Sequence, residues 1–241
     1  MKYISSITKI KNTDSVLLIG SGASLDYLPY SSISKTFIEK CYVIVVNDLC
    51  YDKNIAYDFC INHHTVKDLP DWYLPKLQEQ INLNPGKFIL SEYDCNDPAR
   101  GTTQLKGSYY KYKGLPVCET TNLFVDPIIN PKPDTLFVGG SILFDAIGFG
   151  LFLGASNFYL LGFDGGKYEG HSYYSTYRQN WEEDDFYVTG HSIRTMNMFK
   201  SLQEWIRPLG VNFIHLSARY GSSDLSITDW DNWQYKVICP E

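Results

Sequence analysis

Apolar runs of four or five residues recur along this chain, each closing on a polar or glycine-containing turn. Ser15–Ile19 (SVLLI) ends in Gly20-Ser21-Gly22, Tyr42–Val46 (YVIVV) in Asn47-Asp48, and Tyr57–Ile61 (YDFCI) in Asn62-His63-His64. Runs that are nearly continuous, rather than alternating, suit central strands of a parallel sheet, which are covered on both faces. Lys87–Leu90 predicts a weaker fourth strand, Phe158–Leu161 a fifth closing on Gly162-Phe163-Asp164, and Val211–Leu216 a last one before Ser217. Ser24-Leu25-Asp26 is expected to open a helix with Ser24 as its cap. Gly140-Ser141 precedes a helical stretch reaching Leu153, and Thr195–Trp205 is amphipathic at helical spacing. Asp94 to Pro133, rich in Gly, Pro, Tyr and Asn, reads as loops with short strands. No internal repeat or low-complexity run interrupts the pattern.

Strands alternating with helices predict an α/β fold: a Rossmann-like, mostly parallel sheet flanked by helices, as one nucleotide-binding domain over residues 1–241. Ligands of such sheets bind beyond the carboxyl ends of the strands. That rule makes Gly20, Ser21, Gly22, Asn47, Asn62, Asp164 and Ser217 the candidate edge. The polar, tyrosine-dense stretch of about 165–190 follows one of those strand ends and is expected to form a small lid.

Composition narrows the function. At 44% hydrophobic over 241 residues the chain has ample apolar surface to offset the entropy of ordering, which excludes a disordered segment. Twenty-one basic against 27 acidic residues, a net charge of −6, leave no overall field for a phosphate backbone, so nucleic acid is not an expected partner. The six cysteines (41, 50, 60, 95, 118, 239) include no C-x-x-C pair. They are too dilute for a disulfide scaffold and unlike a zinc site, and read as buried thiols in a reducing compartment. Met1–Asn12 lacks an apolar core followed by a cleavage site, so the expected address is the cytoplasm, free or peripheral to the inner membrane. Leu136–Phe163 carries Asp145 as its single charge and is long enough to span a bilayer. Its glycines and the Ala155-Ser156-Asn157 break favour a buried helix followed by a buried strand, and no transmembrane span is expected. The aromatic content, 15%, is compatible with a homo-oligomer without demanding one.

Several residues carry candidate chemistry. In Gly20-Ser21-Gly22-Ala23-Ser24-Leu25 the missing side chains let backbone approach a ligand and present N–H groups to an anion. Leu25 stands where the dinucleotide fingerprint needs glycine, and no Gly-Lys-Ser/Thr follows, so an ordinary tight turn accounts for it equally well. Asn47 and Asn62 offer uncharged donors and acceptors suited to a base edge or a sugar hydroxyl; each could equally form a turn on its own backbone. His191, after Gly190 and close behind Tyr187, can accept a proton at neutral pH, unless Ser192 simply caps a helix beside an exposed ring. His63 and His64 are adjacent, so in an extended segment their rings point apart and do not chelate a metal as a pair. His171 in the lid and His215 in a strand read as structural. Asp229-Trp230-Asp231 has the form of a metal-holding D-x-D but lies off the strand edge, and no metal is expected. Glu182–Asp185 reads as a solvated lid face. Tyr168, Tyr173, Tyr174 and Tyr177 either donate to a phosphate or pack the lid.

In their order, GSGASL after the first strand, Asn47, Asn62, LGASNFYLLGFD and YVTGHS resemble the bacterial lipooligosaccharide sialyltransferases. The resemblance runs from about residue 14 to about residue 217, with 70–135 unmatched; GSGASL and LLGFD are shared with the 6-hydroxymethylpterin diphosphokinase-like proteins. It implies a glycosyltransferase of lipopolysaccharide biosynthesis that needs neither metal nor cofactor. Sialic acid or a related acidic sugar would pass from a CMP-sugar donor to a glycan acceptor hydroxyl. It further implies that Ser21, Asn47 and Asn62, with Gly20 and Gly22 beside them, contact the nucleotide and its sugar or phosphate. Ser141 would lie near the donor, and Gly162 and Asp164 would border the cytidine ribose. His191 would be the general base, and Tyr187 would line the same cleft. The chain departs from the family at four places. Gly165-Gly166 replaces a tyrosine after the aspartate, passing its phosphate role to Tyr168, Tyr173 or Tyr174. Pro133-Asp134-Thr135 stands where an arginine is usual, Ser21 stands where an asparagine is usual, and a basic membrane-associating tail is missing. The alternatives are Mg-ATP-dependent pyrophosphate transfer of the pterin diphosphokinase kind, with Asp164 and Asp48 as its acids, and a non-catalytic nucleotide-binding module.

Overall fold

The apolar runs become the interior of a nine-stranded sheet. The computed structural model describes residues 2–63, 71–91, 105–116, 133–138, 141–164 and 201–216, together with His171, Tyr173, Ser175, Thr195, Met198 and Phe199 singly. The strands are β1 (Lys2–Tyr3), β2 (Ser15–Ile19), β3 (Tyr42–Val46), β4 (Phe59–Asn62), β5 (Phe88–Ser91), β6 (Tyr110–Pro116), β7 (Thr135–Val138), β8 (Asn157–Leu161) and β9 (Asn212–Leu216). They lie in the order β1-β6-β5-β4-β3-β2-β8-β9, with β7 paired to the later part of β6, and every strand pairing among the described residues is parallel. This is the Rossmann-like α/β sheet that the pattern predicts. β3, β4 and β5 are buried at every position, which is why their sequences show no alternation.

Helices α1 (Lys35–Glu39) and α2 (Tyr73–Leu83) cover one face. Phe37 of α1 meets Tyr159 of β8 edge-on at 4.7 Å, and the Tyr73 hydroxyl of α2 receives the Asn62 amide of β4 at 2.7 Å. Because side chains alternate along a strand, Phe59 of β4 points the other way, where its ring packs on Phe149 of α3 (Ile142–Phe152) at 5.1 Å. On that second face a Cβ at Gly150 would come within 2.4 Å of the Phe158 ring, so α3 lies hard against β8. Phe158 in turn stacks on Phe213, which meets Phe199 of the last helical stretch at 5.0 Å.

α3 starts at Ser141, whose side chain accepts the Leu143 N–H at 3.4 Å, and spans 11 residues. No described helix is long and apolar enough to cross a membrane, so the 136–163 segment is strand, buried helix and strand. Two sequence expectations shift. β4 begins at Phe59 rather than Tyr57, because Asp58 is occupied by the Val43 N–H at 2.9 Å and the Lys11 ammonium at 2.6 Å. The 94–133 region, expected as loops with short strands, holds β6 among its described residues, with Tyr112 fully buried. After β2 there is only a short 3-10 helix, Ala23–Asp26, and Gly22 rather than Ser24 takes its cap position.

Candidate functional site

From β2 the chain winds outward through β3, β4, β5 and β6, then returns to the other side of β2 as β8. The carboxyl ends of β2 and β8 therefore form the topological switch point, where open α/β sheets bind ligands. Two glycine turns meet there. Gly20 N–H donates to the Leu161 carbonyl and Gly22 N–H to the Gly162 carbonyl, both at 2.7 Å. A Cβ at Gly20 would stand 2.6 Å from the Gly162 carbonyl oxygen, and one at Gly22 would stand 2.5 Å from the Asp164 carboxylate. What these glycines accommodate is the opposing turn.

Asp164 locks the pair. Its Oδ2 accepts the Ser24 backbone N–H at 2.8 Å and its Oδ1 accepts the Ser24 hydroxyl. The carboxyl group is 4% exposed, and burial pushes its pKa up to about 6 against the pull of the two Ser24 bonds. Beside it, His215 Nε2–H donates to the Phe163 carbonyl at 2.9 Å, and burial lowers that ring to about 4, so it is neutral. Part of the 165–190 stretch docks on the same turn. Tyr173 forms an antiparallel bridge with Gly22, and the Ser175 N–H and hydroxyl both donate to the Asp26 carboxylate at 2.7–3.0 Å.

A second cluster occupies the carboxyl ends of β3 and β4. Asn47 sits in the left-handed region at φ 48°, which asparagine tolerates better than most residues, and its Oδ1 accepts the His63 N–H at 3.1 Å. It thus ties two strand ends together instead of turning on its own backbone. His63 Nδ1 lies 2.8 Å from Asp145 Oδ2 in α3, and the Tyr112 hydroxyl of β6 donates to the same oxygen. Asp145 is fully buried; desolvation raises its pKa, opposed chiefly by His63 and then Tyr112. Ser141, one helical turn before Asp145, opens the helix at this edge. Asn62 points to the opposite face, 4% exposed, with its amide on Tyr73. Asp48 belongs to that face too, where its charge adds to the burial that raises the Tyr73 hydroxyl.

Ser21, Asn47 and Ser141 therefore come to one edge, with Asn62 beside them but facing α2. His191, Tyr187, Tyr168, Tyr174, Tyr177, Ser217, Asp229 and Asp231 lie outside the described residues. Among the described residues no group of three or more His, Cys, Asp or Glu could hold a metal ion. Sequence reasoning missed the His63–Asp145–Tyr112 cluster. Its signals were a histidine directly after a strand-end asparagine and a lone acid in an otherwise apolar segment. No model of a known protein family matches the chain, and no curated protein is significantly similar to it. Function is therefore read from the site.

Proposed function

We propose that the chain is a metal-independent glycosyltransferase that binds a CMP-activated acidic sugar, sialic acid or a relative, at the switch point. The observation that carries this reading is the docking of Tyr173 on Gly22 and of Ser175 on Asp26. It brings Tyr173 and Ser175 of the tyrosine-rich stretch onto the edge that holds Ser21, Asn47 and Ser141. A transferase with a reactive donor needs such a cover to exclude water and limit hydrolysis. Ser21 and Asn47 contact the nucleotide, and Ser141 at the start of α3 lies near the donor's acidic end. His191 takes the proton of the acceptor hydroxyl as that oxygen attacks the anomeric carbon and nucleoside monophosphate departs. The bonds of Asp164 to Ser24 weigh against a magnesium role for it in pyrophosphate transfer and, equally, against a direct ribose contact by its carboxylate.

The test is transfer from CMP-sialic acid to a panel of galactoside acceptors by wild type and by His191→Ala. Loss of a general base costs roughly 10²–10⁴-fold in kcat, with CMP affinity little changed. Transfer by the variant at the wild-type rate removes His191 from the mechanism. No transfer by the wild type to any acceptor, with CMP bound, favours a binding module.

A further inference from the structure

Asp145 is the single charge of the 136–163 segment and is fully buried in a helix whose Leu143, Phe144, Ala146 and Ile147 are buried too. A carboxylate in such a place is expensive to desolvate, and packing alone would be served better by an apolar residue. Asp145 spends its Oδ2 on two donors, the His63 ring at 2.8 Å and the Tyr112 hydroxyl. Two donors on one carboxylate oxygen hold one ring proton of His63 on Nδ1, so the second proton of the imidazolium, the one exchanged with a ligand, is carried by Nε2. The His63 side chain is 14% exposed where Asp145 is 0%, so the ring is the member of the pair that reaches the edge. Asn47 fixes the backbone of His63 from the neighbouring strand end. A ring oriented by a buried acid, and that acid held by a third group, is the arrangement acid–base catalysts use.

We propose that His63 is a catalytic acid of the transfer reaction, with Asp145 and Tyr112 as its positioning residues; this rests on the transferase reading above. The acceptor oxygen bonds to the anomeric carbon as the bond from that carbon to the phosphate oxygen breaks. The electron pair of the broken bond leaves on the phosphate, and His63, doubly protonated before the step, gives its Nε2 proton to that oxygen and keeps its Nδ1 proton on Asp145. The acceptor's own proton passes to His191, and exchange with water resets both rings. Among the described residues, Asp145 from α3 bonds the ring and Tyr112 from β6 bonds the same carboxylate oxygen; Asp48 and Tyr73 lie across the sheet with Asn62.

CMP release from CMP-sialic acid, measured against pH for wild type, His63→Gln, Asp145→Asn and Tyr112→Phe, tests this. His63→Gln is expected to lower kcat roughly 10²–10⁴-fold at nearly unchanged KM, and to abolish the alkaline fall of the kcat profile. Asp145→Asn should lower kcat at nearly unchanged KM and move the alkaline limb of the kcat profile, a limb that a merely structural acid would leave in place. Tyr112→Phe, which removes one hydroxyl from the core, should move the same limb in part, and stands in should Asp145→Asn not fold. Wild-type kcat in His63→Gln, or a loss confined to KM, overturns the assignment while the transferase reading stands. A wild type that neither binds CMP nor releases it from the donor overturns both.

Discussion

Replacing Asp164 by Asn probes the lock between the two glycine turns through its proton. Burial raises this carboxyl from an ordinary 3.8 to about 6. In the unfolded chain it regains the ordinary value, so between about pH 4 and 6 the folded chain holds a proton that the unfolded chain has lost. The stability this contributes is fully present below the unfolded value and is lost as pH rises through the folded one. Each factor of ten in proton affinity is worth about 1.4 kcal/mol, so the full effect is about 3 kcal/mol, most of it between pH 4 and 7. His215 acts in the opposite sense over nearly the same window. Held neutral at about 4 against an ordinary 6.5, it adds stability as pH rises. The overall pH profile is therefore flatter than either contribution, and only the comparison with the variant isolates Asp164. Asn keeps the size of Asp and a carbonyl that can accept the Ser24 N–H. Guanidinium unfolding at pH 4, 5, 6 and 7, followed by tryptophan fluorescence, should show Asp164→Asn gaining about 2–3 kcal/mol relative to wild type across the series. A difference flat to within about 0.5 kcal/mol would refute the buried, desolvated carboxyl. A difference of opposite sign would mean that Ser24 stabilises the charge more than burial penalises it.

Two further outcomes follow from packing and burial. Gly162→Ala combines a φ of 69° with a Cβ placed 2.3 Å from the Gly20 carbonyl oxygen. It should cost roughly 2–5 kcal/mol in chemical unfolding, whereas Gly210→Ala, at φ 79° with nothing within 4 Å, should cost only about 1–2 kcal/mol. Cys41, Cys50 and Cys60 are buried free thiols, and burial pushes Cys41 up to about 12 and Cys50 well above its ordinary value. Alkylation at pH 8 read by mass spectrometry should leave these three unmodified in the folded protein and label them after unfolding; labelling before unfolding contradicts the packing.

The interior of the sheet was legible because burial on both faces removes alternation and leaves runs such as SVLLI and YVIVV, whose bounds coincide with β2 and β3. β1, with two residues, is too short to leave a pattern, and β7 was absorbed into the long apolar segment that follows. The edge of strand-end residues followed from topology alone. Pairings across the chain did not: Ser24 and Asp164 are 140 residues apart and His63 and Asp145 are 82 apart. Ser24 therefore read as a helix cap, and the glycines beside it read as room for a ligand instead of room for Gly162. Asp145 stood out as a lone charge, yet a lone buried acid asks which donor it serves, and the histidine directly after β4 was the answer.

The central claim is that this edge recognises a cytidine nucleotide without metal. Thermal unfolding with CMP, UMP, ADP, ATP and NAD, each with and without magnesium, tests it directly. A ligand at about 100 times its Kd stabilises the folded state by about 2.7 kcal/mol, a readily measured rise in Tm. The account predicts stabilisation by CMP, equal with and without magnesium. Stabilisation by ATP only in the presence of magnesium would contradict it in favour of pyrophosphate transfer, and no shift with any of the five would contradict nucleotide binding at this edge altogether.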